Sequence, residues 1–326
     1  MVFLKTYTKG GKNAKIKRME YTIFGKTDSK ISRISFGCWE MGGTQWEHTS
    51  DEINTQAIYR ALDKGINSFD TAEGYGDGHS EEVLGRALEG KRNEVFVATK
   101  VAPKNLRAQD VRKSITNSLK RLRMDHVDLY YIHWPNKDIP LEETMGELLK
   151  IQKEGLIRHI GVSNFSISQL KEALSFGRIE AIQNEYSLLQ RDIEAEILPF
   201  CKNESISVMS YSSIAKGILT GAFHFGGTKL KENDFRAPRR LFLPDHLEKE
   251  KELLDAMKEI ADRIHIPLSQ LAIGWLFSKP GLTSALVGTQ SEKHLMENIN
   301  AVGLTLPPQD LAILDKVSVK VLAAIG

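Results

Sequence analysis

Residues 95–133 read VFVATKVAPKNLRAQDVRKSITNSLKRLRMDHVDLYYIH, and this stretch decides the fold. Its two ends, Val95–Lys100 and Val127–His133, are short and rich in β-branched and aromatic residues, as strands buried on both faces of a parallel sheet are. Between them, Ala108–Leu122 has apolar residues at helical spacing. The order strand, helix, strand predicts one repeat of an α/β fold.

The same alternation continues along most of the chain. Six further strand candidates are short apolar runs bounded by Gly, Pro, Asn or polar residues: Ile34–Trp39, Asn67–Ala72, His159–Ser163, Ala181–Glu185, Ser207–Ser212 and Ala285–Gly288. The helix candidates between strands have amphipathic spacing: Asp51–Lys64, Ser80–Glu89, Glu142–Lys153, Ser168–Leu174 and Ile193–Cys201. Eight strands with intervening helices favour a closed (β/α)8 TIM barrel over an open doubly wound sheet.

Further segments are expected outside the repeating pattern. Tyr21–Ile23 and Lys30–Ser32 predict an N-terminal β-hairpin that closes the bottom of the barrel. Residues 1–18 contain only basic charges and predict a solvated N-terminal extension, so that residues 19–326 form a single barrel domain. Extra helices are predicted toward the C-terminus: Leu247–Ile264, Leu268–Phe277, Ser291–Ala301 and Pro308–Val317, with a short tail after the last.

Composition excludes several classes of function. The net charge of +2 in 326 residues gives no basic face for nucleic acid. No apolar run approaches the ~20 residues that span a bilayer, so no membrane partner is expected. Two distant cysteines, Cys38 and Cys201, fit a reducing compartment and a cytoplasmic location. The nine histidines are scattered, so no metal site is expected.

Reactive side chains occur at the carboxyl ends of three consecutive strand candidates, where α/β barrels carry their active sites. Asp70 closes the second strand with Tyr75 shortly after it, Lys100 ends the third, and His133 ends the fourth. Each residue alone has an ordinary structural explanation as a turn cap, loop residue, strand end or core histidine. Because parallel strands bring their carboxyl ends to one rim, we expect the four side chains to lie together.

These four residue types suit proton transfer to a carbonyl oxygen. A tyrosine is a weak acid, with a pKa near ~10. A neighbouring Lys100 ammonium stabilises the Tyr75 phenolate and lowers that pKa, and Asp70 can hold the ammonium in place. His133 can donate a hydrogen bond that polarises the carbonyl. Positioned acid catalysis of this kind gives about 10²–10⁴-fold in rate, while the hydride has to come from a cofactor.

The motifs around these residues resemble those of the aldo-keto reductase superfamily. In chain order they are Phe69–Gly76 (FDTAEGYG), Lys100, His133–Pro135 (HWP), Gly161–Phe165 (GVSNF) and Gln183–Tyr186 (QNEY). The resemblance runs from about Met19 to Asn300. It implies an oxidoreductase that reduces aldehydes or ketones to alcohols with NADPH, with Tyr75 as general acid and the other three residues positioning the tyrosine and the substrate.

The resemblance also implies where the cofactor binds. Its nicotinamide carboxamide would contact Ser163, Asn164 and Gln183, with Tyr211 stacked on the ring. Residues 210–221 would cover its diphosphate. The remaining contacts would come from Ser212, Ile214, Gly217, Arg236, Gly288, Thr289, Gln290, His294 and Asn298. A helix cap is the structural alternative for Ser163 and Asn164.

Two features of this chain bear on its cofactor and substrate. Many relatives that use NADPH place arginines at its 2′-phosphate, whereas Gln290 and His294 stand here and pair a phosphate less strongly. NADPH is favoured and NADH is the alternative. Trp39, Trp46 and Trp134 are expected to line the mouth for a small carbonyl substrate, with core packing as the alternative. We expect a monomer or weak homo-oligomer.

Two other classes of function are alternatives to a reductase. Potassium-channel β subunits share the fold and the four residues, which leaves a nicotinamide-binding, redox-sensing regulatory subunit as the alternative. Cofactor binding without turnover would indicate that class. A metal-dependent hydrolase would need clustered His, Asp or Glu ligands at the rim, and activity that survives chelation would exclude it.

Overall fold

Eight parallel strands form a closed barrel in the computed structural model, which describes residues 19–43, 49–231, 234–289 and 291–326. The barrel strands are β3 (Ile34–Gly37), β4 (Ser68–Asp70), β5 (Phe96–Val101), β6 (Val127–Ile132), β7 (Ile157–Ser163), β8 (Ala181–Glu185), β9 (Ser207–Tyr211) and β10 (Leu282–Val287). Each pairs with its neighbours in parallel, and β10 closes the barrel against β3. The predicted α/β barrel is confirmed. The predicted extension at residues 1–18, Trp46 and Gln290 lie outside the described residues.

Helices surround the barrel and lie mostly where the periodicity predicted them. They are α1 (Asp51–Asp63), α2 (His79–Ala87), α3 (Ala108–Leu122), α4 (Leu141–Lys153), α5 (Ile167–Phe176), α6 (Ile197–Glu204), α7 (Pro244–Ile264), α8 (Leu268–Phe277), α9 (Glu292–Asn300) and α10 (Pro308–Ile325). Their apolar faces pack on the outside of the strands in a continuous core. Among the described residues, none of these helices combines the length and apolar character needed to cross a bilayer.

The N-terminal hairpin closes one end of the barrel, as predicted. β1 (Tyr21–Ile23) pairs antiparallel with β2 (Lys30–Ser32), and the intervening Phe24 is fully buried. The Phe24 ring lies 4.7 Å from that of Phe96 inside the barrel. The Gly25 backbone N–H donates to Ser207 Oγ at 2.8 Å, which fixes the turn to the start of β9. The functional rim is therefore left at the opposite, carboxyl end of the strands.

Interior side chains fill the barrel beneath that rim. They include Phe96, Ala98, Leu129, Tyr131, Ala181, Met209 and Leu286. Gly161 on β7 is required by this packing, because a Cβ atom there would lie 2.6 Å from the Tyr131 ring. The interior is therefore a packed core and not a channel.

The last helix is longer than the sequence analysis predicted. Pro308–Val317 was expected, followed by a short tail, but α10 continues to Ile325. Ser318, Val321 and Ile325 are buried and extend the spacing that begins at Leu314, so the apolar face does not end at Val317. This extra length packs against α7 and places the chain end beside Arg240, which donates to the Gly326 carbonyl.

Glu250 on α7 is a buried acid without a hydrogen-bond partner among the described residues. Burial raises its pKa to about 8, although Arg240 acts in the opposite direction. An acid whose folded pKa exceeds its unfolded pKa destabilises the fold increasingly as pH rises between the two values. We therefore expect Glu250→Leu to raise the free energy of unfolding at pH 8 by roughly 2 kcal/mol and to have a smaller effect near pH 5.

Chemical unfolding at the two pH values measures this effect. Glu252→Leu is the matched control, since Glu252 lies on the same helix, is half-exposed and pairs with Lys320 at 2.7 Å. We expect the control to leave the pH dependence of unfolding unchanged. If the free energy of unfolding had the same pH dependence in the wild type and in Glu250→Leu, the raised pKa of Glu250 would be contradicted.

Candidate active site

A buried tyrosine, lysine and aspartate meet at the carboxyl rim of the barrel. Lys100 Nζ, at the end of β5, pairs with the Asp70 carboxylate at the end of β4. The same ammonium donates to the Thr71 carbonyl at 2.8 Å and to the Tyr75 hydroxyl at 3.3 Å. The Lys100 and Asp70 side chains are 0% and 6% exposed, so the ion pair is shielded from water and strong.

Two loops that touch through glycines hold Tyr75 in place. The Tyr75 backbone N–H donates to the Ala72 carbonyl at 3.1 Å, which closes a turn after β4. A Cβ atom on Gly42, in the loop after β3, would lie 2.7 Å from the Gly76 backbone nitrogen. Gly76 itself has φ 62°, a left-handed conformation that favours glycine. This close contact positions the tyrosine over the rim.

The pKa of Tyr75 is shifted in the direction opposite to the one expected from the sequence. The sequence analysis predicted a lowered pKa, and the Lys100 ammonium does act in that direction. Burial raises the pKa of the phenol more strongly, and the Asp70 charge adds to this, so the net pKa lies above the ordinary value. The phenol is therefore protonated at neutral pH, and Lys100 limits the cost of forming the phenolate.

In the site the lysine is charged and the histidine is neutral. Burial lowers the pKa of Lys100, but Asp70 and Tyr75 raise it more, so the amine remains charged. Burial and the Lys100 charge lower the pKa of His133 to about 3, so its imidazole is neutral. The His133 ring stands edge-on to the Tyr75 ring, with centroids 5.7 Å apart. A neutral imidazole N–H beside the phenol can donate to a substrate oxygen.

A second hydrogen-bond network lies beside these residues on β7 and β8. The Asn164 side-chain amide donates to the His133 carbonyl at 2.9 Å, and the Tyr211 hydroxyl donates to Asn164 Oδ1 at 2.7 Å. Ser163 Oγ donates to the Gln183 carbonyl at 2.8 Å. Gln183 Nε2 donates to Asp70 Oδ2 at 2.8 Å, a link that the sequence analysis did not predict. The two groups of predicted residues therefore form one connected site.

These residues line a cavity of about 1260 Å³. Of the predicted site residues, those on its wall are Trp39, Asp70, Tyr75, His133, Trp134, Ser163, Asn164, Gln183, Tyr211, Ser212, Ile214, Gly217, Arg236, Gly288, Thr289, His294 and Asn298. Lys100 lies just beneath the wall, while Trp46 and Gln290 lie outside the described residues. The cavity therefore runs from the tyrosine to the first turns of α9.

Charged residues after β9 cover part of this cavity. Arg236 pairs with Asp234 at 2.7 Å and donates to the Lys216 carbonyl at 3.2 Å. Lys216 pairs with Glu185 at the end of β8. The Phe235 ring meets the Trp39 ring edge-on at 5.2 Å, across the cavity mouth. Residues after β9 thus contact Trp39 and Glu185, which both line the cavity.

Several cavity residues were not singled out individually by the sequence analysis, among them Glu40, Glu185 and Lys216. Glu185 and Lys216 form the pair described above, and Glu40 follows Trp39 directly. The rule that found Asp70 also applies to Glu185, because both are acids that end a barrel strand. Nothing in the sequence pattern distinguishes Glu40 from a surface acid. Among the described residues, no group of three or more His, Cys, Asp or Glu could hold a metal ion.

Solved structures similar to this chain include two oxidoreductases. The glycerol dehydrogenase from Gluconobacter oxydans matches with a TM-score of 0.84 and 31% identity, covering 92% of this chain and 95% of that one. An aldo/keto reductase from Klebsiella pneumoniae, solved in complex with NADP and acetate, matches with a TM-score of 0.73 and 30% identity, covering 90% and 93%.

Curated relatives are similar over nearly the whole chain. The aldo-keto reductase YhdN of Bacillus subtilis strain 168 is 35% identical, with 90% of this chain and 91% of the relative covered. The NADH-specific methylglyoxal reductase of Escherichia coli K12 is 31% identical, covering 91% and 97%. A probable voltage-gated potassium channel subunit beta of Arabidopsis thaliana is 32% identical, covering 92% and 95%. The model of the aldo/keto reductase family matches residues 33–319. The chain therefore belongs to the aldo/keto reductase family of oxidoreductases.

Proposed function

We propose that the protein reduces aldehydes or ketones to alcohols with NADPH, using Tyr75 as the proton donor. The observation that carries this proposal is the buried Tyr75–Lys100–Asp70 arrangement, with the neutral His133 beside it on the cavity wall. A protonated phenol next to a fixed ammonium is suited to give up its proton only when a strong base forms close by. An alkoxide formed from a carbonyl is such a base.

The residues on the cavity wall fit a nicotinamide dinucleotide. Ser163, Asn164 and Gln183 present hydroxyl and amide groups at one place, which can satisfy both ends of a carboxamide. The Tyr211 ring beside them offers a stacking face. Lys216 and Arg236, which line the cavity and pair with Glu185 and Asp234, are the candidate cations for a diphosphate. When bound, the reduced cofactor supplies the hydride for the carbonyl carbon.

The side chains of this protein control the proton. The neutral His133 donates a hydrogen bond to the carbonyl oxygen and orients the substrate. As the carbon receives hydride, Tyr75 transfers its hydroxyl proton to that oxygen, which gives the alcohol and a phenolate. Lys100, held by Asp70 and Thr71, stabilises the phenolate by its charge and hydrogen bond. Solvent then returns a proton to the tyrosine.

Aromatic walls at the mouth favour apolar carbonyl compounds. Trp134 is 47% exposed although it borders the cavity, and Trp39 lies on the other side near Tyr75. Exposed tryptophan at a pocket edge provides contact area for a hydrophobic substrate. We infer that these two residues contribute to substrate binding.

NADPH is the cofactor that we favour. Arg236 in the cavity suits a phosphate-rich ligand, and the related Klebsiella protein was solved with NADP. The Escherichia coli relative is NADH-specific, and this chain has a histidine, His294, at the adenosine end of the cavity. NADH is therefore the alternative.

The test is oxidation of NADPH and NADH by purified protein with a panel of aldehydes and ketones. We expect turnover that survives exhaustive chelation, and a lower KM for NADPH than for NADH. Tight binding of NADPH without turnover of any carbonyl would instead favour a regulatory subunit, the class to which the name of the Arabidopsis relative points. Absence of binding to either nucleotide would contradict the proposal.

A further inference from the structure

Four acidic side chains line the cavity within the described residues: Glu40, Asp70, Glu185 and Glu297. Three of them accept hydrogen bonds, Asp70 from Lys100 and Gln183, Glu185 from Lys216, and Glu297 from Ser269. Glu40 differs, because no described residue donates a hydrogen bond to its carboxyl group. The Glu40 carboxyl group therefore faces the same cavity that is proposed to hold an anionic cofactor.

Glu40 stands at the junction between the first and last barrel strands. It lies in the short 3₁₀ turn Trp39–Gly42 that follows β3. Its carboxyl group lies against Gly288 just beyond β10, where a Cβ atom would be 3.3 Å from Glu40 Oε1. The family resemblance places Gly288 among the cofactor contacts, and Gly288 lines the cavity, so a bound dinucleotide would pass beside this carboxyl group.

Glu40 interacts electrostatically with a group that the cofactor would engage. Burial raises the pKa of Glu40 to about 7, and Arg236 is the charge that lowers it. Arg236 is also a candidate ligand for the cofactor diphosphate. An anion bound to Arg236 would cancel its effect on Glu40 and add repulsion between the diphosphate and the carboxylate. Protonation of Glu40 removes that repulsion and supplies a hydrogen-bond donor.

We propose that Glu40 makes dinucleotide binding proton-linked, so that the diphosphate binds most tightly when the Glu40 carboxyl group carries a proton. This inference rests on the proposed function, since it requires the cavity to hold a nicotinamide dinucleotide. By linkage, cofactor binding then takes up a proton, and affinity falls as pH rises above about 7. One linked proton changes the dissociation constant by at most about tenfold per pH unit.

Other groups around the cavity contribute to its charge. They are Lys216 and Arg239 after β9, Glu185 and Tyr211 at the ends of β8 and β9, Lys293, His294 and Glu297 on α9, and Cys38, Asp70, Tyr75, Lys100 and His133 at the barrel rim. A histidine changes charge in the same pH range as that assigned to Glu40. The 2′-phosphate of NADPH also titrates, as phosphate monoesters do near pH ~6. NADH, which lacks that phosphate, is therefore the first probe.

The experiment measures NADH binding by titration calorimetry from pH 6 to pH 9, in buffers with different ionisation enthalpies. For the wild type we expect uptake of up to about one proton per NADH, with Kd rising up to about tenfold per pH unit above pH 7. Glu40→Gln should lose this component and bind NADH more tightly than the wild type at pH 9.

Two further variants separate Glu40 from its neighbours. Glu185→Gln removes a cavity acid that already has a lysine partner, and we expect it to retain the proton uptake of the wild type. In His294→Asn we likewise expect the proton uptake that depends on Glu40 to remain. Equal proton uptake and equal pH dependence in the wild type and Glu40→Gln would overturn the inference while leaving the proposed function intact. Failure of the wild type to bind NADH or NADPH at any pH would instead overturn the proposed function.

Discussion

Tyr75→Phe is expected to lower kcat for carbonyl reduction by about 10²–10⁴-fold, because the substitution removes only the hydroxyl that we propose as the proton donor. The phenylalanine ring can keep the edge-on contact with His133, whose centroid lies 5.7 Å from that of Tyr75. Cofactor affinity should change little, since the proposed nicotinamide contacts come from β7, β8 and Tyr211. Steady-state kinetics and a fluorescence titration with NADPH measure the two quantities.

Tyr130→Phe is the matched control for this substitution. Tyr130 on β6 is buried in the core between the strands and the helices, and its hydroxyl has no hydrogen-bond partner among the described residues. We expect Tyr130→Phe to retain nearly full activity. If Tyr75→Phe reduced carbonyls at a rate close to that of the wild type, the proton would have to come from another group.

Asp70→Asn is expected to lower the free energy of unfolding by about 3–5 kcal/mol, which is typical when one member of a buried ion pair is removed. The buried Lys100 ammonium would then lose its anionic partner and keep only neutral acceptors, among them the Thr71 carbonyl and the Tyr75 hydroxyl. Equilibrium unfolding in denaturant measures the loss. Activity should fall as well, because the ammonium loses the partner that fixes its position.

The double variant Asp70→Asn/Lys100→Met separates stability from catalysis. Removing both charges leaves no uncompensated ion, so we expect most of the stability lost in Asp70→Asn to return. Carbonyl reduction should remain low, because no cation stabilises the phenolate. A double variant that is as unstable as the single one would show that the pair does not behave as a coupled buried unit.

The barrel and the four rim residues could be predicted because both follow from local sequence. Apolar runs such as Val127–Ile132 identify parallel strands without tertiary information. Parallel strands then bring their carboxyl ends to one rim, so Asp70 and Lys100 had to be neighbours. Strand ends shifted by a residue or two, as at Gly37, where the chain turns into a 3₁₀ helix. Such shifts do not move the site.

Other features could not be predicted because they depend on several segments at once. The sign of the net pKa shift of Tyr75 is set by a balance between burial and the Lys100 charge, and burial is a tertiary property. The hydrogen bond from Gln183 to Asp70 joins residues 113 positions apart. The charge environment of Glu40 depends on Arg236, which reaches the cavity from the segment after β9. Periodicity within one strand or helix carries no information on these contacts.

In the proposed mechanism Lys100 stabilises the phenolate of Tyr75, and the pH dependence of alcohol oxidation tests this stabilisation most directly. In that direction Tyr75 must act as the base, so kcat/KM rises with pH as the phenolate forms. We predict that the rising limb for Asp70→Asn/Lys100→Met lies about one pH unit or more above that of the wild type, because the combined charge and hydrogen bond of Lys100 outweigh the opposing charge of Asp70. Coincident limbs for the two proteins would contradict the claim.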